Sequence, residues 1–188
     1  SGSHHLLNEL TSGQLDLAIV VASEYDPSSS ESLDHIPLFE EELVVIAADR
    51  VHFGRYRNQL TLRQLADLPQ IVFSDSYDLR ATTMDAYRQH QLEPNIVLEG
   101  AEMDAVLRFV ERGLGVAVVP ATVLLDRPNL MSCRLIDPAL TRTISLAHRR
   151  DVKLSRAARA MQELIISTVQ DLAAQSPAIR SLSDNYHH

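Results

Sequence analysis

The apolar residues of this chain recur with two spacings, one typical of helices and one typical of strands. The stretch Asp104–Pro120, which reads DAVLRFVERGLGVAVVP, contains both of them. Its first half carries apolar residues on one helix face, and Gly113 stands where a helix needs a left-handed residue to close. The β-branched run Val116–Val119 then predicts a buried parallel strand, and Pro120 ends the pairing of that strand. The stretch indicates an α/β protein, in which ligands bind where such strands end.

The same two spacings predict the other elements of the chain. Short apolar runs predict strands at Leu15–Val21, Ile71–Phe73, Ile96–Leu98, Met131–Ile136 and Thr143–His148. Helical spacing predicts a helix end at Leu6–Thr11, closed by Gly13, and helices at Thr61–Leu68, Leu79–Gln91 and Ser155–Ala174. The last helix has an apolar stripe that we expect to be buried, formed by Ala158, Met161, Leu164, Ile165, Val169 and Leu172.

A long extended pattern covers Ile36–Ala48 and is interrupted by three glutamates, Glu40–Glu42. The interruption predicts either two strand pieces or one strand that changes neighbours. Charged residues in a row are usually a solvated face, so we interpret the glutamates as a solvated edge and not as a catalytic pair.

Strands that alternate with helices predict a parallel sheet built from βαβ units. The extended segments Leu43–Ala48 and Thr143–His148 bracket a middle block with helices and strands of its own. This order predicts two lobes joined by two crossovers, with residues 1–49 and 143–188 in lobe I and residues 50–142 in lobe II. Such a body can close over a ligand by hinge motion.

The composition of the chain limits the classes of protein to which it can belong. The 188 residues are 45% hydrophobic, enough for a core, and contain no apolar run long enough to span a membrane. The net charge of −8 argues against a nucleic-acid-binding surface in this chain, because such surfaces need clustered Lys and Arg. The single cysteine, Cys133, excludes an internal disulfide, and the N-terminus lacks the pattern of a secretory signal. We therefore expect a cytoplasmic protein.

The sequence lacks the common motifs of catalytic and cofactor-binding sites. Gly113-Leu114-Gly115 lacks a third glycine and precedes a strand, so it is not a dinucleotide loop. The sequence contains no P-loop, no G-x-S-x-G elbow, no H-E-x-x-H motif and no Cys/His zinc spacing. We expect no catalytic activity, no cofactor and no metal, and we interpret Cys133 as a buried structural thiol.

Five segments, in this order, resemble the effector-binding domain of LysR-type transcriptional regulators. They are SGQLDLAIV (Ser12–Val20), PLFEEELVVIA (Pro37–Ala47), LTLRQLADLPQIVF (Leu60–Phe73), VLRFVERGLGVAVVP (Val106–Pro120) and SRAARAMQEL (Ser155–Leu164). The resemblance covers nearly the whole chain.

The resemblance implies a two-lobed α/β fold of the periplasmic-binding-protein-like type 2 class. It implies a small-molecule effector between the lobes, which changes how an attached helix-turn-helix domain holds DNA, and a homo-oligomer in the full-length protein. The strand, helix and strand with which the family's domain opens are missing before Leu15, so contacts from that part are not transferred. A solute-binding protein of a transport system is the alternative interpretation.

Ligand-contacting residues are expected at strand ends that face the cleft. The first lobe offers Val21, Ala22 and Ser23, and the second offers Ser74, Asp75, Ser76, Tyr77, Glu102, Met103, Val119 and Pro120.

Two of these positions have a second interpretation. The hydroxyl and N–H groups of Ser74–Tyr77 suit a carboxylate at a helix N-terminus, but Ser76 could equally be a plain N-cap. Glu102 is either a ligand contact or an acid favoured by the helix dipole. Asp75 and Asp78 count against a strongly anionic ligand, and Arg80 could offset one of them.

Overall fold

A computed structural model describes residues 3–22, 31–56 and 58–183 of the chain. It divides into two compact units. Unit 1 contains Ser1–Glu41 and Thr141–His188, and unit 2 contains Glu42–Leu140. The chain therefore passes twice between the units, once outward and once back.

Helices and strands alternate as the apolar spacing predicts. The helices are α1 (Ser3–Thr11), α2 (Leu62–Ala66), α3 (Asp78–Gln89), α4 (Met103–Glu111) and α5 (Arg156–Gln175), with 3-10 helices at Arg50–Phe53 and Ala121–Leu125. The strands are β1 (Ala18–Val21), β2 (Leu33–Ala47), β3 (Gln59–Thr61), β4 (Gln70–Phe73), β5 (Ile96–Gly100), β6 (Ala117–Pro120), β7 (Met131–Ile136), β8 (Thr141–Arg149) and β9 (Ile179–Ser181). No helix within the described residues is long and apolar enough to cross a membrane.

Unit 1 is a sheet covered on both faces. Strand β8 pairs antiparallel with β1 and neighbours the first part of β2, which also pairs antiparallel with β9. Because side chains alternate along a strand, Leu146 of β8 packs under Ile166 and Val169 of α5. The next residue, Ala147, points to the other face and packs with Leu10 of α1.

Unit 2 is built around the second part of β2. That part pairs antiparallel with β6 on one side and with β7 on the other, and β3 adds parallel to β7. Strands β4 and β5 form a separate parallel pair. A single parallel bridge between Gln70 and Val116 connects β4 to the residue before β6.

The prediction of a parallel sheet is therefore only partly right. Strand β6 is buried along its length, as its β-branched run predicts, but its main partner β2 runs antiparallel to it. Burial on both faces depends on what covers a strand and not on its direction, so the apolar run could not reveal the pairing. In both units, strands that return along the chain pair with the long outgoing strand β2.

Strand β2 is one strand that changes neighbours at its glutamates, which confirms the second of the two predicted possibilities. The interpretation of the glutamates as a solvated edge is wrong for Glu41, which is only 1% exposed. Each glutamate has an arginine partner on a different strand. The pairs are Glu40–Arg180 at 2.9 Å, Glu41–Arg142 at 2.8 Å and Glu42–Arg134 at 2.7 Å.

Helix α5 is amphipathic, but its buried face is rotated from the predicted stripe. Met161 and Leu164 are 52% and 60% exposed, whereas Ile166, outside the stripe, is buried. The sheet that the helix covers decides which face turns inward, because Ile166 packs on Ile36 and Leu38 of β2.

Candidate functional site

The ends of β4 and β5 lie side by side and bring two predicted site segments together. The strands run parallel with Phe73 opposite Gly100, and the Ser74 N–H donates to the Gly100 carbonyl at 3.2 Å. Helix α3 follows the first strand and α4 follows the second. We call this carboxyl-terminal end of the β4–β5 pair, formed by residues 74–80 and 99–104, the strand-end edge.

Tyr77 and Glu102 are in direct contact across the strand-end edge. The Tyr77 hydroxyl donates to Glu102 Oε2 at 2.6 Å. This hydrogen bond to a carboxylate, with some burial, raises the pKa of Tyr77 above its ordinary value. The phenol ring also packs on Phe73, with centroids 5.1 Å apart. Of the predicted ligand residues, these two form the best-defined pair.

The helix starts at this edge do not use side-chain caps. Helix α3 begins at Asp78 with Tyr77 as its N-cap residue, so the prediction that Ser76 caps it is wrong. Ser76 lies one position too early for capping, and its hydroxyl instead lies 2.8 Å from the hydroxyl of Ser74. Glu102 is the N-cap residue of α4, but its carboxylate makes no capping bond and turns to Tyr77.

Arg80 is held by several partners from the same edge. Its Nη1 donates to the Phe73 carbonyl at 2.8 Å and to Glu99 Oε2 at 2.9 Å. Its Nε lies 3.4 Å from Asp75 Oδ1, which confirms that the arginine offsets one of the two aspartates. Glu99 was missed by sequence reasoning, because the pattern of β5 ended the predicted strand at Leu98.

Most of the other predicted residues lie away from the strand-end edge, and Met103 lies within it. Val119 and Pro120 are buried in β6, opposite Val44 and Leu43 of β2. In unit 1, Val21 ends β1 and its N–H donates to Ser3 Oγ at 3.1 Å. Met103, half-buried, begins α4, and Ala22 follows β1. Ser23 lies outside the described residues.

A shallow pocket lies next to the strand-end edge inside unit 2. It shares Leu79 and Arg80 with that edge and is otherwise mainly apolar. Its remaining lining residues are Gln70, Ile71, Val72, Phe73, Thr83, Met84 and Val118. Sequence patterns gave no sign of this pocket, because its walls are an ordinary core strand and the inner face of α3.

Comparison with known proteins gives a consistent result. The family model for the LysR substrate binding domain matches residues 1–170. An uncharacterized HTH-type transcriptional regulator, YybE of Bacillus subtilis, is 30% identical over 165 residues, which are 88% of this chain and 55% of that protein. The chain thus spans about half the length of the curated relatives it matches.

Two solved structures have the same fold. The effector binding domain of QuiR in complex with shikimate aligns with a TM-score of 0.72 at 24% identity, over 91% of this chain and 79% of that one. The regulatory domain of CcmR from Synechocystis PCC6803, in complex with 2-PG, aligns with a TM-score of 0.73 at 18% identity, over 91% and 81%. These likenesses confirm the predicted α/β, periplasmic-binding-protein-like (type 2) fold class.

Proposed function

The chain belongs to the LysR substrate binding domain family, and on that premise we propose that it is the ligand-sensing regulatory domain of a LysR-type transcriptional regulator. A small metabolite binds the domain and shifts its population of states, which changes how a helix-turn-helix domain outside this sequence holds DNA. The observation that carries this proposal is the family match over residues 1–170. We propose that the domain acts by binding alone, without catalysis, and in the cytoplasm, where its DNA lies.

The strand-end edge is where we propose that the metabolite is held. Carboxyl ends of neighbouring parallel strands are where α/β proteins bind ligands, because loops and helix starts converge there. At this edge the Tyr77–Glu102 pair and the Ser74–Ser76 hydroxyls supply fixed polar groups. The remaining predicted residues, Val21, Ala22, Ser23, Val119 and Pro120 among them, stay predictions.

The transport alternative has no support among the proteins compared. The relative and the two solved structures are described as a transcriptional regulator, an effector binding domain and a regulatory domain. We therefore keep the regulator as the proposed function.

A ligand screen followed by a DNA-binding assay tests the proposal. We expect one class of metabolite to raise the melting temperature of the purified chain, since a ligand that binds only the folded state stabilises it by mass action. The same compound should change the affinity of the full-length regulator for its operator. A ligand that binds the domain but leaves operator affinity unchanged would contradict regulation, and a panel without any binder would contradict sensing.

We further propose that the full-length protein is a homo-oligomer, as the family resemblance implies. Sedimentation analysis of that protein should give a mass that is a multiple of the monomer. A monomer at all concentrations would contradict this.

A further inference from the structure

We infer that the solvent-facing side of helix α5 is a docking surface for the same helix of a second copy of this chain, with the two helices antiparallel. We call this side the outer face of α5, and its exposed residues are Ala157, Ala160, Met161, Leu164, Ser167 and Thr168. The inference rests on the proposed homo-oligomer, to which it adds a surface, and it does not depend on ligand sensing.

The first half of the outer face is apolar. Met161 and Leu164 are 52% and 60% exposed, although the opposite side of the helix already covers the sheet of unit 1 through Ile166 and Val169. Behind them, the Thr168 hydroxyl donates to the Leu164 carbonyl at 2.8 Å, so it needs no further partner when it is covered. Covering the outer face would therefore remove apolar surface from water at little polar cost.

The charges of α5 are separated along its length. Arg156 and Arg159 lie in the first turn, and Glu163 and Asp171 follow them. All four side chains are exposed, and within the described residues none of them has an ion-pair partner. The order is unfavourable for a helix on its own, because arginines stand at the positive end of the macrodipole and the first turn contains no acidic residue.

These charges determine both the partner and its direction. In an antiparallel pair of α5 helices, the basic first turn of each copy lies towards the acidic part of the other, and the two macrodipoles oppose each other. A parallel pair would bring like charges together. A polyanion would be attracted by Arg156 but repelled by Glu163 and Asp171 on the same helix. The helix is thus complementary to itself, as a two-fold dimer requires.

The expected dimer is weak. A single helix face offers less than the roughly 1,200–2,000 Å² that stable protein–protein interfaces bury. We therefore expect a reversible dimer whose population rises with protein concentration. Because the opposed charges are exposed to solvent, salt should weaken it.

Sedimentation velocity of the purified chain, from micromolar to millimolar concentration, tests this inference. The wild-type mass should rise towards that of a dimer at low salt and fall back at high salt. Leu164→Glu places a charge within the outer face and should raise the concentration needed for dimerisation about tenfold or more. Leu114→Glu is the matched control, since Leu114 is 52% exposed in unit 2 and its replacement should leave the mass unchanged.

A charge exchange separates defined pairing from general loss of association. Arg156→Glu/Arg159→Glu should weaken the dimer, because the acidic residues of the second copy then meet glutamates. Adding Glu163→Arg/Asp171→Arg to the same chain reverses both halves of the helix and should restore the dimer. Circular dichroism checks that each variant keeps its helix content.

The outcomes separate this inference from the proposed function. Dimerisation that neither Leu164→Glu nor the arginine exchange weakens would overturn the inference and leave the homo-oligomer intact on another surface. A chain that stays monomeric while the full-length protein is oligomeric would overturn it in the same way. Association that strengthens with salt would overturn the antiparallel arrangement. Ligand sensing is judged by the metabolite panel alone.

Discussion

At the scale of single residues, the position at which a helix begins decides what the side chains beside it contact. The turns after β4 and β5 could be predicted because strand-like runs end there in polar residues. The contacts within these turns depend on the residue at which each helix begins. The Tyr77 hydroxyl donates to Glu102, and the Ser76 hydroxyl lies beside that of Ser74 and not beside a helix N–H. Helix starts are uncertain by a residue or two from sequence, and one residue decides the role of Ser76.

Two buried hydrogen bonds connect Tyr87 of α3, Gln70 at the start of β4 and the backbone of α2. The Tyr87 hydroxyl donates to Gln70 Oε1 at 2.9 Å, and Gln70 Nε2 donates to the Leu65 carbonyl at 3.0 Å. Both side chains are at most 2% exposed. Burial raises the pKa of Tyr87 to about 12, although the hydrogen bond to Gln70 acts in the opposite direction.

Tyr87→Phe should therefore lower the free energy of unfolding near neutral pH by about 1–3 kcal/mol, because Gln70 Oε1 is left buried without its donor. The wild-type protein should also lose stability as the pH rises from 10 towards 12. In that range the phenol ionises in the unfolded chain but stays neutral in the folded one, so the unfolded state binds fewer protons.

Urea unfolding of both proteins at pH 8, 10 and 11 measures these effects. The gap between wild type and Tyr87→Phe should narrow above pH 10, since the variant has no phenol at this position. A gap that stays constant would mean that Tyr87 titrates alike in the folded and unfolded chain.

Cys133 provides a second residue-scale prediction. Cys133 is 1% exposed in β7, and burial raises the pKa of its thiol, whereas the charge of Arg50 acts in the opposite direction. A thiol reagent should therefore react with the folded protein at least tenfold more slowly than with the unfolded chain in denaturant. Fast labelling under native conditions would instead indicate an accessible thiolate and contradict the interpretation of Cys133 as a buried structural thiol.

At the scale of elements, the turn from α4 into β6 shows what a glycine pattern encodes. Gly113 has φ +74° and closes the helix, as predicted. Gly115 is required for a different reason, which is lack of space: a Cβ there would lie 2.7 Å from the Pro69 carbonyl oxygen. The close approach allows the Val116 N–H to donate to Pro69 at 2.9 Å and the Ile71 N–H to donate to Val116 at 2.8 Å.

Gly115→Ala should thus destabilise the protein by about 1–3 kcal/mol, since the added methyl pushes β6 away from the start of β4. The midpoint of chemical denaturation would report the loss. Leu114→Ala is the matched control in the same turn, and its 52% exposed side chain should make its effect several-fold smaller. Equal losses would show that the turn tolerates a Cβ.

Elements that form only because they pair with distant residues could not be predicted from the local sequence pattern. Strand β9 has a single buried apolar residue, Ile179, and exists because it pairs with Phe39–Glu41 of β2. The buried face of α5 also depends on distant residues. Helical spacing predicts that the helix has an apolar stripe, but contact with the sheet determines which residues of that stripe are buried. Local pattern thus predicted where elements occur more reliably than which side of each is buried.

At the scale of the whole molecule, the three glutamates of β2 mark the point where the chain leaves one unit for the other. Glu40 and Glu41 pair with Arg180 and Arg142 of unit 1, whereas Glu42 pairs with Arg134 of unit 2. Their partners are far away in sequence, so a charge run alone could only suggest a solvated face.

The pairs differ in burial, and we expect their contributions to stability to differ accordingly. Glu41→Gln should cost about 3 kcal/mol, because the Arg142 guanidinium, only 20% exposed, loses its buried counter-charge. Glu42→Gln, on the same strand, should cost about 0–1 kcal/mol, because Arg134 is 61% exposed and water replaces the lost partner.

Equilibrium denaturation of these two variants and of Glu41→Met/Arg142→Met tests the assignment. The double variant should recover much of the loss of Glu41→Gln, since replacing both charges by apolar groups removes the penalty of an uncompensated guanidinium. Similar costs for Glu41→Gln and Glu42→Gln would contradict this, because the burial of an ion pair would then not decide what it contributes to stability.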